Sequence, residues 1–492
     1  MVRPQVPPWR VLTLCDIDKS TRHATTIDML TDNVLLEVFD LFRNNHDYAS
    51  RTVWRWHLLV HVCQRWRQIV FASPHRLNLQ ILCTHRTPVR KNLCIWPVLP
   101  IVIDYHYSGS RISPIDENNV ISALEHPDHV CYVRLDITGS QLRKIASGMQ
   151  KPFPVLTRLF IGSDDVNAPV LPGAFLRGSA PRLKEIALSG IPYPTLPTLL
   201  LSASDLVELS LHKIPQTGYI SPEAMVACLA VLPRLSTLRI GFRSASRPGR
   251  ILPPPITRRV LPALTSFRFN GASEYLEDLI AQIDSPQLRQ IFIFYWNQFV
   301  DFEVAQLSEF IDRSVGTQIA LFRHAQVTFV SDWVSFTTYP RDIHSTSGSL
   351  PARTLISCRG IDWQVSHMAQ VLSHFSATLS NVVHLKLEAQ LGGCQLEGID
   401  DVEWLHLLHH FPTVRTLHVS QELAGHVATT LEDITQGLVG QILPSLDLIR
   451  VVGQPASSIE KFVAGRLLSG CPVTVVDTET EFSERLKSYV SE

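Results

Sequence analysis

The sequence predicts an α/β chain in which a short helical module near the N-terminus precedes a long solenoid of parallel strands and helices. Three observations carry this expectation. Apolar residues recur at helical spacing from Leu30 to Val70, a six-residue apolar phrase then returns ten times, and amphipathic stretches of helical period lie between its copies.

The chain has 492 residues, 45% hydrophobic and 18% charged, which places it with folded globular chains rather than disordered ones. With 44 basic against 45 acidic residues, the net charge of -1 offers no global field for nucleic acid or an anionic membrane, and neither is expected as a partner. The nine cysteines contain no C-x-x-C pair, which argues for reduced, mostly buried thiols over a disulfide framework or a zinc ribbon. No stretch reaches the roughly 18 apolar residues of a membrane span, Met1–Arg10 lacks the apolar centre of a secretory signal, and there is no N-x-S/T sequon. The expected compartment is cytoplasm or nucleus.

Residues 1–28, with Pro4, Pro7 and Pro8, read as a flexible segment. Residues 29–80 form the helical module. Thr31 or Asp32 is placed to cap a helix whose stripe is Val34, Leu35, Val38, Leu41 and Phe42. A second helix is expected from Trp54, Leu58, Val62, Trp66 and Ile69, broadened by Leu59, Cys63 and Val70. Residues 81–124 read as a linker or entry to the solenoid, 125–476 as the solenoid and 477–492 as a tail.

Within the solenoid the phrase is Leu-x-x-Leu-x-Leu, often after proline. Its copies are Val130-Val133-Leu135, Leu156-Leu159-Ile161, Leu183-Ile186-Leu188, Leu206-Leu209-Leu211, Leu235-Leu238-Ile240, Leu264-Phe267-Phe269, Leu288-Ile291-Ile293, Val382-Leu385-Leu387, Val414-Leu417-Val419 and Leu446-Ile449-Val451. Spacings between first residues run from 23 to 29 up to Leu288 and are 32 between the last three copies. Leucine-rich repeats span roughly 20–29 residues. Helices are expected at Ser221–Leu232, Glu274–Ile283, Ala305–Arg313, Asp401–Phe411 and Ala428–Leu443. Between Ile293 and Val382 the period lapses, with one more strand at Ala325–Phe329 and a loop at Ile343–Pro351; a second loop, Ser244–Pro262, contains Pro253-Pro254-Pro255.

The run Leu30-Thr31-x-x-Val34-Leu35-x-x-Val38-Phe39, followed by Val62-Cys63-x-x-Trp66, resembles the F-box, and the repeats after it match the order of the F-box/leucine-rich-repeat family. The phrase Cys358-Arg359-Gly360-Ile361-Asp362-Trp363 is similar to phrases in the expanded F-box families of mushroom-forming fungi. Thr31 stands where the family has proline, and Asn44–Arg55 lengthens the gap between the helices. The resemblance implies the substrate-recognition subunit of a cullin–RING ubiquitin ligase, with the F-box docked on a Skp-type adaptor and the solenoid holding a protein target. Leu30, Thr31, Val34, Leu35 and Val38 are then adaptor-facing, with Val62, Cys63 and Trp66 supporting the bundle or sharing the interface. The alternative is a leucine-rich-repeat scaffold or ligand sensor outside any ubiquitin ligase.

Catalytic motifs are absent: there is no G-x-G-x-x-G, P-loop or G-x-S-x-G, and Ser458-x-x-Lys461 lacks its companion motifs. No enzyme activity, cofactor or metal is expected. Glu403, His406 and His410 share a helical face but lack the H-E-x-x-H spacing. The remaining signal is on the strands. The residue between the last two apolar positions of each copy should project from the sheet away from the core. These residues are Arg134, Phe160, Ala187, Ser210, Arg239, Arg268, Phe292, Lys386, His418 and Arg450, five of them Lys or Arg and none acidic. A basic, partly aromatic concave face is expected, suited to an acidic or phosphorylated segment.

Overall fold

A computed structural model describes residues 27–44, 56–74, 76–85, 88–95, 99–105, 112–244, 257–295, 304–315, 323–331, 333–339, 352–357, 361–375, 379–390, 401–434, 442–451, 457–468 and 470–477. They belong to two compact units, Met1–Gln80 and Ile81–Glu492. Trp54, the proline triplet at 253–255, the loop at 343–351 and the phrase at 358–360 lie outside the described residues.

In the first unit a 3-10 turn, Ile27–Met29, leads into α1 (Asp32–Asn44). Thr31 is its N-cap, with Oγ1 accepting from the Val34 amide at 3.5 Å. The expected second helix is two, α2 (Trp56–Val60) and α3 (Gln64–Ala72). It breaks because Cys63 is extended (φ -156°, ψ 171°) and uses Sγ to accept the Trp66 amide at 3.4 Å, capping a new helix. Leu35, Leu36, Phe39, Leu59, Val60, Ile69 and Val70 are buried, and Phe39 packs on Trp66 with ring centres 4.7 Å apart.

Among the described residues the second unit is built on one 16-stranded sheet, with a separate two-stranded pair and with helices stacked beside one another. Its strands open with β1 (Ile81–Cys83), β2 (Ile101–Tyr105), β3 (Val130–Asp136), β4 (Arg158–Gly162), β5 (Glu185–Ser189), β6 (Glu208–Ile214) and β7 (Thr237–Phe242). Each pairs in parallel with the next. The array therefore begins at Ile81, and the stretch 81–124, expected as a linker or entry to the solenoid, supplies its first two strands. After β8 (Arg259–Val260) the sheet continues with β9 (Ser266–Gly271); β10 (Ile283–Asp284) pairs with β8 alone, and β11 (Gln290–Tyr295) follows in the main sheet.

Next come β12 (His324–Val330), β13 (Trp333–Tyr339) and β14 (Ala352–Ser357), then β15 (His384–Gln390), β16 (Thr416–Val419), β17 (Leu448–Val451) and β18 (Thr474–Asp477). The spatial order is β11-β14-β13-β12-β15. The chain leaves β11, passes two strand positions to lay down β12 beside the place of β15, and returns through β13, antiparallel to both neighbours, to β14 on β11. This is the irregular interval of the sequence, and it breaks the expectation of parallel strands throughout. At the far end Asp477, expected in the tail, closes β18.

The described helices of this unit include α4 (Val89–Ile95), α5 (Pro114–Leu124), α6 (Gly139–Gly148), α7 (Leu196–Ser202), α8 (Pro222–Leu229), α9 (Ser273–Ile280), α10 (Ala305–Val315), α11 (Ile361–Ser373), α12 (Asp401–His409), α13 (Gln421–Ile434) and α14 (Ser457–Leu468). Four of the five expected helices coincide with α8, α9, α10 and α12. The fifth, expected at 428–443, is displaced: α13 starts at Gln421, and Leu443 has φ 47°, outside the helical range.

The core follows from the phrase itself. Leu183, Ile186 and Leu188 are buried, as are their counterparts Leu206, Leu209 and Leu211, so successive phrases stack into one apolar seam. The residue after each first leucine stitches the stack together. The Thr157 carbonyl accepts from the amides of Lys184 and Glu185, the Lys184 carbonyl from Val207 and Glu208, and the Val207 carbonyl from Ser236 and Thr237. No unit could satisfy these groups alone.

Candidate interaction surfaces

The first surface is on α1. Residues three and four apart share a helical face, so Val34, Val38 and Leu41 line one side while Leu35 and Phe39 line another. Leu35 is 0% and Phe39 1% exposed, whereas Val34 is 44%, Val38 42% and Leu41 63% exposed. Leu35, expected at an adaptor interface, is therefore a core residue of the first unit. Of the other candidates, Thr31, Val62 and Cys63 are exposed, Leu30 and Trp66 half-buried. Thr31 and Cys63 each cap a helix, and the Leu30 carbonyl accepts from Arg65 Nη2 at 2.5 Å. Phe42 on α1 and Leu58 on α2 are also exposed.

The second surface is the face of the sheet turned away from the buried seam. Strand register places Arg134, Phe160, Ala187, Ser210, Arg239, Arg268 and Phe292 side by side on seven neighbouring strands, one row across β3 to β11. Register carries the row through Arg353, Thr337 and Gln326 of the interrupted segment to Lys386, His418 and Arg450. All ten expected residues thus fall in one line.

Their charge differs from expectation, because acids stand on the same face two residues away. Arg239 Nη1 is ion-paired with Glu208 and donates to Ser210 Oγ at 3.1 Å. Lys386 is ion-paired with Glu388, and Arg158 Nε lies 3.0 Å from Glu185. Arg134 faces Asp104 across the β2–β3 pair. The row is basic, but the face around it is mixed. Arg268 is different: it is exposed, has no ion pair among the described residues, and its guanidinium carbon lies 5.7 Å from the centre of the Phe292 ring. His212 is held neutral, its pKa pushed down first by burial and then by Arg239. Tyr132 packs against Phe160 with ring centres 5.8 Å apart, and His324 and His384 stack at 4.4 Å. Sequence reasoning missed Glu208 and Glu388; both sit two positions from a residue of the row, and the period of the strand marks them.

Glu403, His406 and His410 do come together, with His409, in a cleft of about 590 Å³ between α11 and α12. Among the described residues no group of His, Cys, Asp and Glu is arranged to hold a metal ion. Burial, then His409 and His406, push the His410 pKa down, so its ring is held neutral.

No protein-family model matches the sequence, and no curated protein matches it. Similar solved structures include the leucine-rich repeat-containing protein LegL7 from Legionella pneumophila, 13% identical over 67% of this chain and 95% of that chain, with a TM-score of 0.27. They also include TLR13 in its complex with ssRNA13, 14% identical over 72% of this chain and 38% of that chain, with a TM-score of 0.28. The repeat architecture described above rests on the strand register of this chain itself. No helix among the described residues is long and apolar enough to cross a membrane.

Proposed function

We propose that the protein is a non-catalytic interaction protein of cytoplasm or nucleus, the substrate receptor of a cullin–RING ubiquitin ligase. Its first unit docks on a Skp-type adaptor, and through it on a cullin, while the open face of its sheet holds a protein target. The observation that carries the reading is the division of α1 into a buried face, Leu35 and Phe39, and an exposed apolar face, Val34, Val38 and Leu41. Covering one such side chain contributes about 1.5–3 kcal/mol when it is fully removed from water. A partner helix is the natural cover for residues at this spacing.

The test is co-purification of the full chain with the adaptor. Val34→Asp with Val38→Asp should abolish it, because charge would be buried in the interface, while thermal unfolding stays as in the wild type. Retained binding by a normally folded double variant rules the docking surface out. One observation favours the second reading, a scaffold outside the ligase: Thr31, standing at the family's proline, is occupied as a helix cap. Absence of adaptor from the wild-type complex would select it.

A further inference from the structure

The middle of the open face carries a cation that the described carboxylates leave unanswered. On β7, β9 and β11 the row reads Arg239, Arg268, Phe292, adjacent in register. These two arginines stand on neighbouring strands, which lie about 4.8 Å apart, and among the described residues only Arg239 has a carboxylate partner, Glu208. The flanking positions on these three strands are Thr237, Ser266 and Gln290 on one side and Gly241, Asn270 and Phe294 on the other, all neutral. The patch therefore bears an excess positive charge over an aromatic platform.

A guanidinium lying over a phenyl ring keeps its N–H edges free for a planar, bidentate acceptor, and the ring limits the rotamers it must give up on binding. We propose that Arg268, supported on Phe292, anchors an acidic side chain of an extended peptide segment lying across β7, β9 and β11. Arg239 is a positioning residue: its bonds to Glu208 and Ser210 hold it against the sheet and leave Arg268 as the group that meets the ligand. The inference rests on the reading of the open face as the target-binding face, and it specifies the chemistry of that target.

The experiment uses the full-length protein and a fluorescent peptide of alternating Glu and Gly that carries a photo-reactive group. A Gln–Gly peptide of equal length and a single-stranded oligonucleotide serve as comparisons. The Glu peptide should bind more tightly than the Gln peptide, lose affinity as salt is raised, and crosslink to strands β7 to β11. Arg268→Ala should weaken it at least tenfold, Arg268→Lys should not restore it, and Phe292→Ala should weaken it less. Arg268→Gln, which keeps the stem, guards against a loss caused by local repacking.

Crosslinks on the open face with affinity unchanged in Arg268→Ala and Arg268→Gln overturn the anchor and leave the target-binding face standing. Equal binding of Glu and Gln peptides, or an oligonucleotide bound as tightly through Arg268, overturns the acidic-peptide assignment. Crosslinks confined to the helical face overturn both.

Discussion

Arg65, on α3, forks onto Asp32, the first residue of α1: Nη2 and Nε lie 2.7 and 3.1 Å from the same carboxylate oxygen. The pair ties α1 to α3, across the position of α2 in the sequence, and Asp32 also places a negative charge at a helix N-terminus. Both side chains are substantially exposed, so the pair is weak, about 0–1 kcal/mol. Arg65→Ala should therefore cost no more than about 1 kcal/mol, whereas Leu35→Ala, deleting a fully buried side chain, should cost about 2–5 kcal/mol. Hydrogen exchange of the α1 amides reads both. Equal effects would place Leu35 on the surface after all.

Two glycines should respond to alanine in opposite directions. Gly190 has φ +70°, and a Cβ there would lie 2.1 Å from the Ser163 carbonyl oxygen, so Gly190→Ala should destabilise the solenoid by more than about 1 kcal/mol. Gly425 lies inside α13 with nothing within 4 Å of an added Cβ. There Gly425→Ala should stabilise by about 0.5–1 kcal/mol. Denaturant midpoints of the two variants, measured side by side, check the pair.

Acid should loosen the region around α11 and α12. Burial lowers the pKa of His367, and burial with His409 and His406 lowers that of His410. With folded values below the unfolded value of about 6.5, the unfolded chain binds more protons in the window between them. Stability is then complete above about pH 6.5 and falls as pH drops toward the folded values. The thermal midpoint should decline on acidification, and less so in His367→Leu with His410→Leu. A double variant as acid-sensitive as the wild type contradicts the assignment.

Thiol reactivity should divide the cysteines. The sequence predicts mostly buried thiols; among the described cysteines, Cys63, Cys94 and Cys471 are exposed, while Cys83 and Cys228 are buried. Burial pushes the Cys83 thiol up to about 12 and that of Cys131 up to about 11, which removes the reactive thiolate. A thiol reagent at neutral pH, followed by peptide mapping, should label the first three and spare Cys83, Cys131 and Cys228 until the chain unfolds.

What was legible in the sequence was set by period, and what escaped it was set by contacts between distant residues. The ten phrases mark ten of the strands, and their middle residues fall into one row because alternation along a strand leaves no other face. The charge of that face was not legible from the row alone: Glu208 meets Arg239 across a strand boundary, one repeat away. Leu35 and Val34 are equally apolar neighbours, and only packing assigns one to the core. The break at Cys63 escaped because its apolar spacing suits a continuous helix, whereas a sulfur acting as a cap decides the matter. Between β11 and β15 the period lapses because the chain abandons the order of its repeats.

That lapse has a consequence for how the protein acquires its structure. The main-sheet strands β1 to β7, β9 and β11 can add one at a time, each finding its neighbour already in place. When β12 emerges, the position it will occupy has no neighbour on either side, since β13, β14 and β15 all follow it in the chain. Growth must pause until the three strands β12, β13 and β14 arrive together, and closing this longer circuit is slower than adding a local repeat. Pulse-labelling by hydrogen exchange during refolding should show protection through β11 first, followed by a single later phase shared by β12, β13 and β14. The reversed strand acts as a checkpoint: the leading array keeps an open sheet edge at β11 until β14 docks on it, whether the chain is interrupted before the three strands or within them.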